Sequence, residues 1–170
     1  KIALNCVLIL SNRYADIASE KAKSSSGEAK EAFSLMEKTL RKVPESPCET
    51  LYEAIQSYML LWEIMCLEQA PNPFAFSVGN ADRIFEPYRK GLSREKSAEL
   101  FKHFLVFYNV GDRSWAISQN VLVGGRDIEG NDLSNEMTYA IMDAYFDMNL
   151  PQPILSVKLH KNTPQKMYEE

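Results

Sequence analysis

Three cysteines, two histidines, a glycine pair and one acidic cluster are the residues of this 170-residue chain whose types could do chemistry. Cys6, Cys48 and Cys66 are widely spaced, with no Cys-x-x-Cys step and no neighbouring histidine pair, so they specify neither a disulfide framework nor a zinc site. They suit a reducing cytoplasm. The segment Asp127-Ile128-Glu129-Gly130-Asn131-Asp132 has the acidity of a calcium loop, but its glycine stands fourth rather than sixth. Thr138 also falls where the bidentate glutamate belongs, so a capped turn is expected instead. Gly124-Gly125 lacks the lysine and the second glycine of a phosphate loop. No Ser, His and Asp set follows from local spacing.

Polar side chains on strands remain. In the run 155–160, Leu155, Val157 and Leu159 alternate with Ser156, Lys158 and His160, which places apolar groups on one face and polar groups on the other. One face should pack on helices and the other line a lumen or meet water. His160 has the chemistry of a ligand or proton carrier, but the expectation is a strand-end histidine bonded to the following turn. His103 falls on an amphipathic helix, at a boundary or surface position.

The elements that must position these groups are helices first and strands late. A first helix is expected from about 4 to 22, its stripe made by Val7, Leu10, Tyr14, Ile17 and Ala18. Ser24-Ser25-Ser26-Gly27 breaks it. Ser25 and Glu28 have capping-box spacing before a second helix, which Pro44 and Pro47 end. Thr50 and Glu53 repeat that logic before Leu51–Leu67, a helix apolar nearly all round and so expected to be buried on most sides. Ala70-Pro71-Asn72-Pro73 cannot continue a helix. It leads into an extended piece, Phe74 to Gly79, then a short helix through Asp82 and Phe85 that stops near Gly91. Ser93 caps a further helix, with a break at 109–114.

The carboxyl third is the most strongly punctuated part. Gln119-Asn120-Val121-Leu122-Val123-Gly124-Gly125 reads as a strand, and Ser134-Asn135-Glu136 opens a helical run. Leu150-Pro151-Gln152-Pro153 then introduces the second strand. That order implies two parallel strands joined by a helical crossover. Thr163-Pro164 has the form of a cap and first residue of one more helix. The fold class expected is mainly α with a small β component: residues 1–114 a mostly helical layer, and 115–170 a β-α-β unit, together one domain or a fragment of a larger barrel.

Charge and hydropathy bound the partners. With 45% hydrophobic and 25% charged residues the chain is ordinary for a globular protein, and a net charge of −4 with no concentrated basic face argues against nucleic acid. The apolar run from Ile2 to Leu10 is too short to span a membrane and lacks the features of a signal peptide, so no membrane association is expected. The opening on Lys1 suggests a trimmed amino end or an excised piece.

Several of these landmarks, in this order, resemble the glycyl radical enzymes, the family of pyruvate formate-lyase and the glycerol and choline lyases. They are Arg13-Tyr14-Ala15, Val43-Pro44, Thr50 to Gln56, Ser77-x-Gly79-x-x-Asp82 with Pro87-Tyr88, the strand opened by Gln119-Asn120, Pro151-Gln152-Pro153, and Leu155-Ser156-Val157-Lys158-Leu159-His160. No one motif is decisive; the ordered set is. The resemblance implies a pyruvate formate-lyase-like α/β barrel of which this chain is an interior part. It also implies cleavage of a C–C, C–O or C–N bond in a small anaerobic metabolite through a thiyl radical. The family's protein glycyl radical is installed by an iron–sulfur, S-adenosylmethionine activating enzyme.

Neither the Gly-Cys-x-Glu loop nor the terminal glycine motif of the family occurs here. Cys66-Leu67-Glu68 is preceded by Met65 and falls in a helix, where a buried structural cysteine is expected. The resemblance therefore implies no catalytic residue, metal ligand or cofactor in this chain alone, and the expected partners are the rest of the barrel or a self-associating copy. Substrate-pocket candidates are Phe74, Ser77, Gln119, Asn120 and His160. For Gln119 and Asn120 a wall of the pocket and plain satisfaction of backbone amides stay equally open. Asn80 stands where the family commonly has arginine, and Phe74 replaces a histidine of the diol- and amine-cleaving relatives. A more apolar pocket is implied. The alternative function is a non-catalytic helical module derived from the same fold, whose open strand edges would need covering.

Overall fold

The computed structural model describes residues 1–68, 76–111 and 119–169, and it divides into two units, 1–64 and 65–170. In the first, helix α1 (Ile2–Ser24) and helix α2 (Gly27–Lys42) form an antiparallel pair around a tight turn, and helix α3 begins at Leu51 and runs to Glu68. Small residues set the contact: Ser11, Ala15, Ala18 and Ala22 are the buried positions of α1. The sequence stripe is thus rotated, because Ile17 is exposed and the helices approach over alanine rather than over large side chains.

Polar cross-links finish this unit. The Ser11 hydroxyl lies 2.7 Å from the Leu40 carbonyl and 3.2 Å from that of Val43, so it serves the open carbonyls at the end of α2. Tyr14 donates its phenolic proton to Glu63 on α3. The expected Ser25 box does not form: Ser26 is the N-cap, without a side-chain bond. The Thr50 cap is half made. Its hydroxyl accepts from the Glu53 backbone, while Glu53 turns to the Glu49 N–H and the Lys42 ammonium. Helix α3 is buried at Leu51, Ala54, Ile55, Leu60 and Trp62, but Leu61, Met65 and Leu67 are exposed, so it is covered on fewer sides than its composition implies.

The second unit holds the sheet. Strand β1 (Gly79–Asn80) is followed by helix α4 (Ala81–Arg89), helix α5 (Arg94–Gly111), strand β2 (Asn120–Gly124), helix α6 (Glu136–Met148), strand β3 (Ile154–Lys158) and a last turn of helix, α7 (Lys166–Glu169). The strands are all parallel in the order β1-β2-β3, with Gly79 opposite Val121 and Asn120 opposite Ile154. The two strands read from sequence are present with their helical crossover, and a third, only two residues long, joins them. Helix α5 continues through Asn109, where a break was expected, because Tyr108 is anchored by its hydroxyl to the Phe76 carbonyl.

Aromatic rings make the core between α4 and α5. Phe101 stacks on Phe104 at 4.6 Å, Phe85 meets both edge-on, and Tyr108 extends the row; all are buried. Beneath the sheet, Tyr139, Met142 and Met167 pack against Leu155 and Val157. The alternation expected of β3 holds as far as its end at Lys158. Leu159 lies past the strand and is exposed, so it does not join the apolar face. No helix among the described residues is long and apolar enough to cross a membrane.

One titration follows from the first unit. Burial pushes the Glu53 carboxyl up, but the Glu49 N–H and the Lys42 ammonium that donate to it outweigh this and hold it below its usual range. A depressed folded pKa stabilises above the unfolded value and is lost as pH falls through the folded one, that is, below about 4.3. Helical circular dichroism against denaturant at stepped pH should show this acid-side loss flattened in Glu53→Gln; an identical slope in both proteins contradicts the assignment.

Candidate functional site at the parallel sheet

Alternation gives the sheet two different faces. Gln119, Val121 and Val123 are buried against the helices. The register puts Asn80, Asn120, Leu122, Ser156 and Lys158 on the other face, which is only partly covered. Along this face the Asn120 amide donates to the Ser156 hydroxyl at 2.9 Å, and the Lys158 ammonium donates to Asn80 Oδ1 at 3.0 Å. Ser77, just before β1, accepts the Asn120 backbone N–H at 3.1 Å. Ser77, Asn120 and Ser156 thus come together across all three strands. Phe74 lies outside the described residues.

The amino edge of the sheet carries unspent hydrogen-bonding capacity. Gln119 Oε1, Asn120 Oδ1 and Gln152 Oε1 are buried and have no partner among the described residues. The Gln119 carbonyl accepts from Ile154 N–H at 2.8 Å, so these amides lie at the starts of adjoining strands. A buried amide oxygen without a donor costs about 1–3 kcal/mol, and of these Asn120 Oδ1 is the one on the open face. The Gln119 main-chain carbonyl is satisfied within the sheet, while the side-chain oxygens of Gln119 and Asn120 have no partner among the described residues.

At the carboxyl ends of the strands the chain turns on Asp82. This fully buried carboxylate accepts the Arg83 N–H at 2.8 Å on one oxygen, and on the other the Gly124 N–H at 2.6 Å and the Thr138 hydroxyl at 2.7 Å. Thr138 in turn accepts the Asn135 N–H and gives its own N–H to the Asn135 side chain, closing the capping box of α6. Glu86 adds a second carboxylate to that helix start through the Met137 N–H. Gly124 is confined to glycine, since its φ is +71° and a Cβ would come within 3.1 Å of the Lys158 carbonyl. Asp82 was legible as part of a motif, but its partner Thr138 was not, because the two are 56 residues apart.

His160 is held inside its own loop. Its backbone N–H donates to Thr163, its Nδ1 accepts from the Asn162 N–H at 3.3 Å, and its Nε2 meets Asp132 Oδ1 at 2.9 Å. With Nδ1 accepting, the proton belongs on Nε2 and points to Asp132. The bond to the following turn is as read from sequence; the Asp132 contact is additional. His103 is exposed, as expected. Asp127 folds its cluster into a turn by accepting from Asn131 on both backbone and side chain. Among the described residues no three His, Cys, Asp or Glu groups converge to hold a metal ion. Among the described residues Cys6, Cys48 and Cys66 form no disulfide, and Cys66 is half-buried rather than buried.

Comparison with known proteins places this geometry. The family model described as pyruvate formate lyase-like matches residues 1–170. The chain is 30% identical to trans-4-hydroxy-L-proline dehydratase from Clostridioides difficile over 97% of its own length and 23% of that protein's. It is 25% identical to an isethionate sulfite-lyase from Oleidesulfovibrio alaskensis, covering 97% of this chain and 22% of the relative. A solved glycyl radical enzyme from Archaeoglobus fulgidus superposes with a TM-score of 0.87 at 28% identity, over 96% of this chain and 23% of that one. The chain therefore spans under a quarter of the length of the proteins it matches.

Replacing Asp82 with Asn puts an amide where three donors point. A stability loss of about 2–4 kcal/mol is expected, against about 1 kcal/mol for Thr138→Val, which removes one donor. The two changes should be non-additive, since they share a bond. Equilibrium denaturation of the single and double variants measures this, and strict additivity speaks against the shared pin.

Proposed function

Because the chain belongs to the pyruvate formate lyase-like family, we propose that it forms part of the wall of a glycyl radical lyase or dehydratase and that the open face of its sheet looks onto the substrate. The observation that carries this reading is the buried, unpartnered amide oxygen of Asn120 on the open face, beside the Ser77–Asn120–Ser156 chain. Acceptors without donors suit a small molecule rich in hydroxyl or ammonium groups. Two of its relatives, a trans-4-hydroxy-L-proline dehydratase and an isethionate sulfite-lyase, act on small molecules of this kind. A protein glycyl radical, installed by an activating enzyme, supplies hydrogen abstraction in this family. Residues of this chain hold and orient: Ser77 and Asn120 present oxygen acceptors on the open face, and His160 fixes the loop after β3 through Asp132.

The exposed apolar residues Ile2, Leu4, Ile9, Leu61, Leu67 and Phe146 support burial against further chain, as do the outer edges of β1 and β3. Three cysteines without a disulfide among the described residues are compatible with a reducing cytoplasm. A non-catalytic module of the same fold is the competing reading, and the feature that favours it is the chain's one Cys-x-Glu, which sits on helix α3 rather than on a loop tip.

The test uses the full-length protein, reacted anaerobically with its activating enzyme. An oxygen-sensitive doublet radical signal and turnover of a small hydroxylated substrate are expected. Asn120→Ala should keep the radical signal and lower kcat/KM by about tenfold, the equivalent of one hydrogen bond of about 1.4 kcal/mol. Absence of both radical and turnover favours the non-catalytic module, and unchanged kinetics in Asn120→Ala remove that residue from the wall.

A further inference from the structure

Helix α1 has contact-forming residues on two opposite sides. At about 100° per residue, its buried positions Ser11, Ala15, Ala18 and Ala22 fall within one arc of about 60°, while Ile2, Cys6, Ile9, Arg13 and Ile17 fall within another of about 80°, centred about 170° away. The first arc faces α2, as the Ser11 bond to the Leu40 carbonyl shows. The second is open along its length: Ile2, Ile9 and Ile17 are 84%, 60% and 48% exposed, and Cys6 and Arg13 are exposed between them. A helix with a tight small-residue contact on one side and a stripe of isoleucine on the other has the pattern of a middle layer. The four- and three-residue steps of the stripe suit a helix as its cover.

Arg13 adds a chemical demand. It stands within the stripe, and among the described residues it has no carboxylate at ion-pair distance. The acids of this unit that lie closest along α1 and α3 are spent elsewhere, Asp16 on Arg41 at 2.7 Å and Glu63 on the Tyr14 hydroxyl at 3.0 Å. A purely apolar cover would strand the guanidinium, so the covering surface brings an acceptor of its own.

A second copy of α1 does not meet both demands. Paired parallel and in register, the stripe sets Arg13 against Arg13. Paired antiparallel about Ile9, it sets Arg13 against Asn5. The antiparallel registers that bring Arg13 to Asp16 or Glu20 carry Ile2 past the end of the partner helix at Ser24 and set Ile9 against Glu20 or Ser24. Another source is at hand: residues 1–170 correspond to 23% of the hydroxyproline dehydratase and 23% of the Archaeoglobus enzyme, which leaves more than three-quarters of such a protein outside them.

We propose that the stripe Ile2, Cys6, Ile9, Arg13 and Ile17 is covered in the full-length protein by a helix from outside residues 1–170, which lays an apolar seam on the isoleucines and sets a carboxylate against Arg13. The inference rests on the reading of the chain as one part of a larger enzyme, and it assigns the face that meets the remainder and the chemistry of the contact.

The probe is N-ethylmaleimide on the full-length, unactivated protein, with labelling at Cys6 read by peptide mass mapping so that the other cysteines do not interfere. Native Cys6 is expected to label at least about a hundredfold more slowly than after unfolding. Labelling at the unfolded rate overturns the proposal. Arg13→Met should speed native labelling about tenfold or more, and a parental rate in that variant overturns the carboxylate contact. The parent measurement decides whether the face is covered even if Arg13→Met does not fold. Protection that disappears on dilution to the monomer assigns the face to a second copy and overturns the proposal. A protected Cys6 in a protein that takes up no radical leaves this face assigned and the lyase reading refuted; a normal radical signal with Cys6 freely labelled does the reverse.

Discussion

The second unit depends on one buried carboxylate. Asp82 receives a proton from the start of α4, one from the end of β2 and one from the first turn of α6, so three elements that are remote in sequence share a single pair of oxygens. A charge taken out of water is tolerated only when its lone pairs are filled, and that demand makes the arrangement discrete rather than adjustable. Because Thr138 also belongs to the capping box of α6, the helix cannot shift without breaking its own cap. The crossover between β2 and β3 is thereby fixed, and with it the register that decides which side chains look outward.

From that register the two faces acquire opposite characters. Val121 and Val123, with Leu155 and Val157, close against Tyr139, Met142 and Met167. Across the strands, amides, hydroxyls and an ammonium look the other way with much of their capacity unspent. A sheet built only for packing would place apolar groups on this face or hand it fully to water. Amides and hydroxyls toward the amino end and the Lys158 ammonium toward the carboxyl end make it polar along its length.

The first unit is organised differently. Alanine and serine let α1 and α2 approach closely, and the work of fixing their ends falls to Ser11, Arg41, Lys42 and Glu53 at the boundary. On α1 the large apolar residues Ile2, Leu4, Ile9 and Ile17 are exposed. This is why the sequence stripe through Ile17 misplaced the contact face: periodicity finds an apolar side, but it cannot tell which of two apolar sides meets the neighbouring helix. The Ser25 box failed for a related reason, since a run of three serines offers several caps and only the path of the chain selects Ser26.

What the sequence determined by itself was the order and type of elements in the carboxyl third and its kinship. Gly and Pro bound the strands 120–124 and 154–158, the Ser134-Asn135-Glu136 turn opens the helix between them, and those signals are local, acting over a few residues. His160 bonding to its own turn was readable on the same ground. Tertiary structure alone decided the two-residue strand β1, the union of Asp82 with Thr138, the meeting of Asp132 with His160, and the convergence of Arg83 and Lys158 over Gly125. Each of these joins groups 28 or more residues apart, a distance over which no periodicity or cap carries information. Only the closing of the crossovers brings them within bonding range.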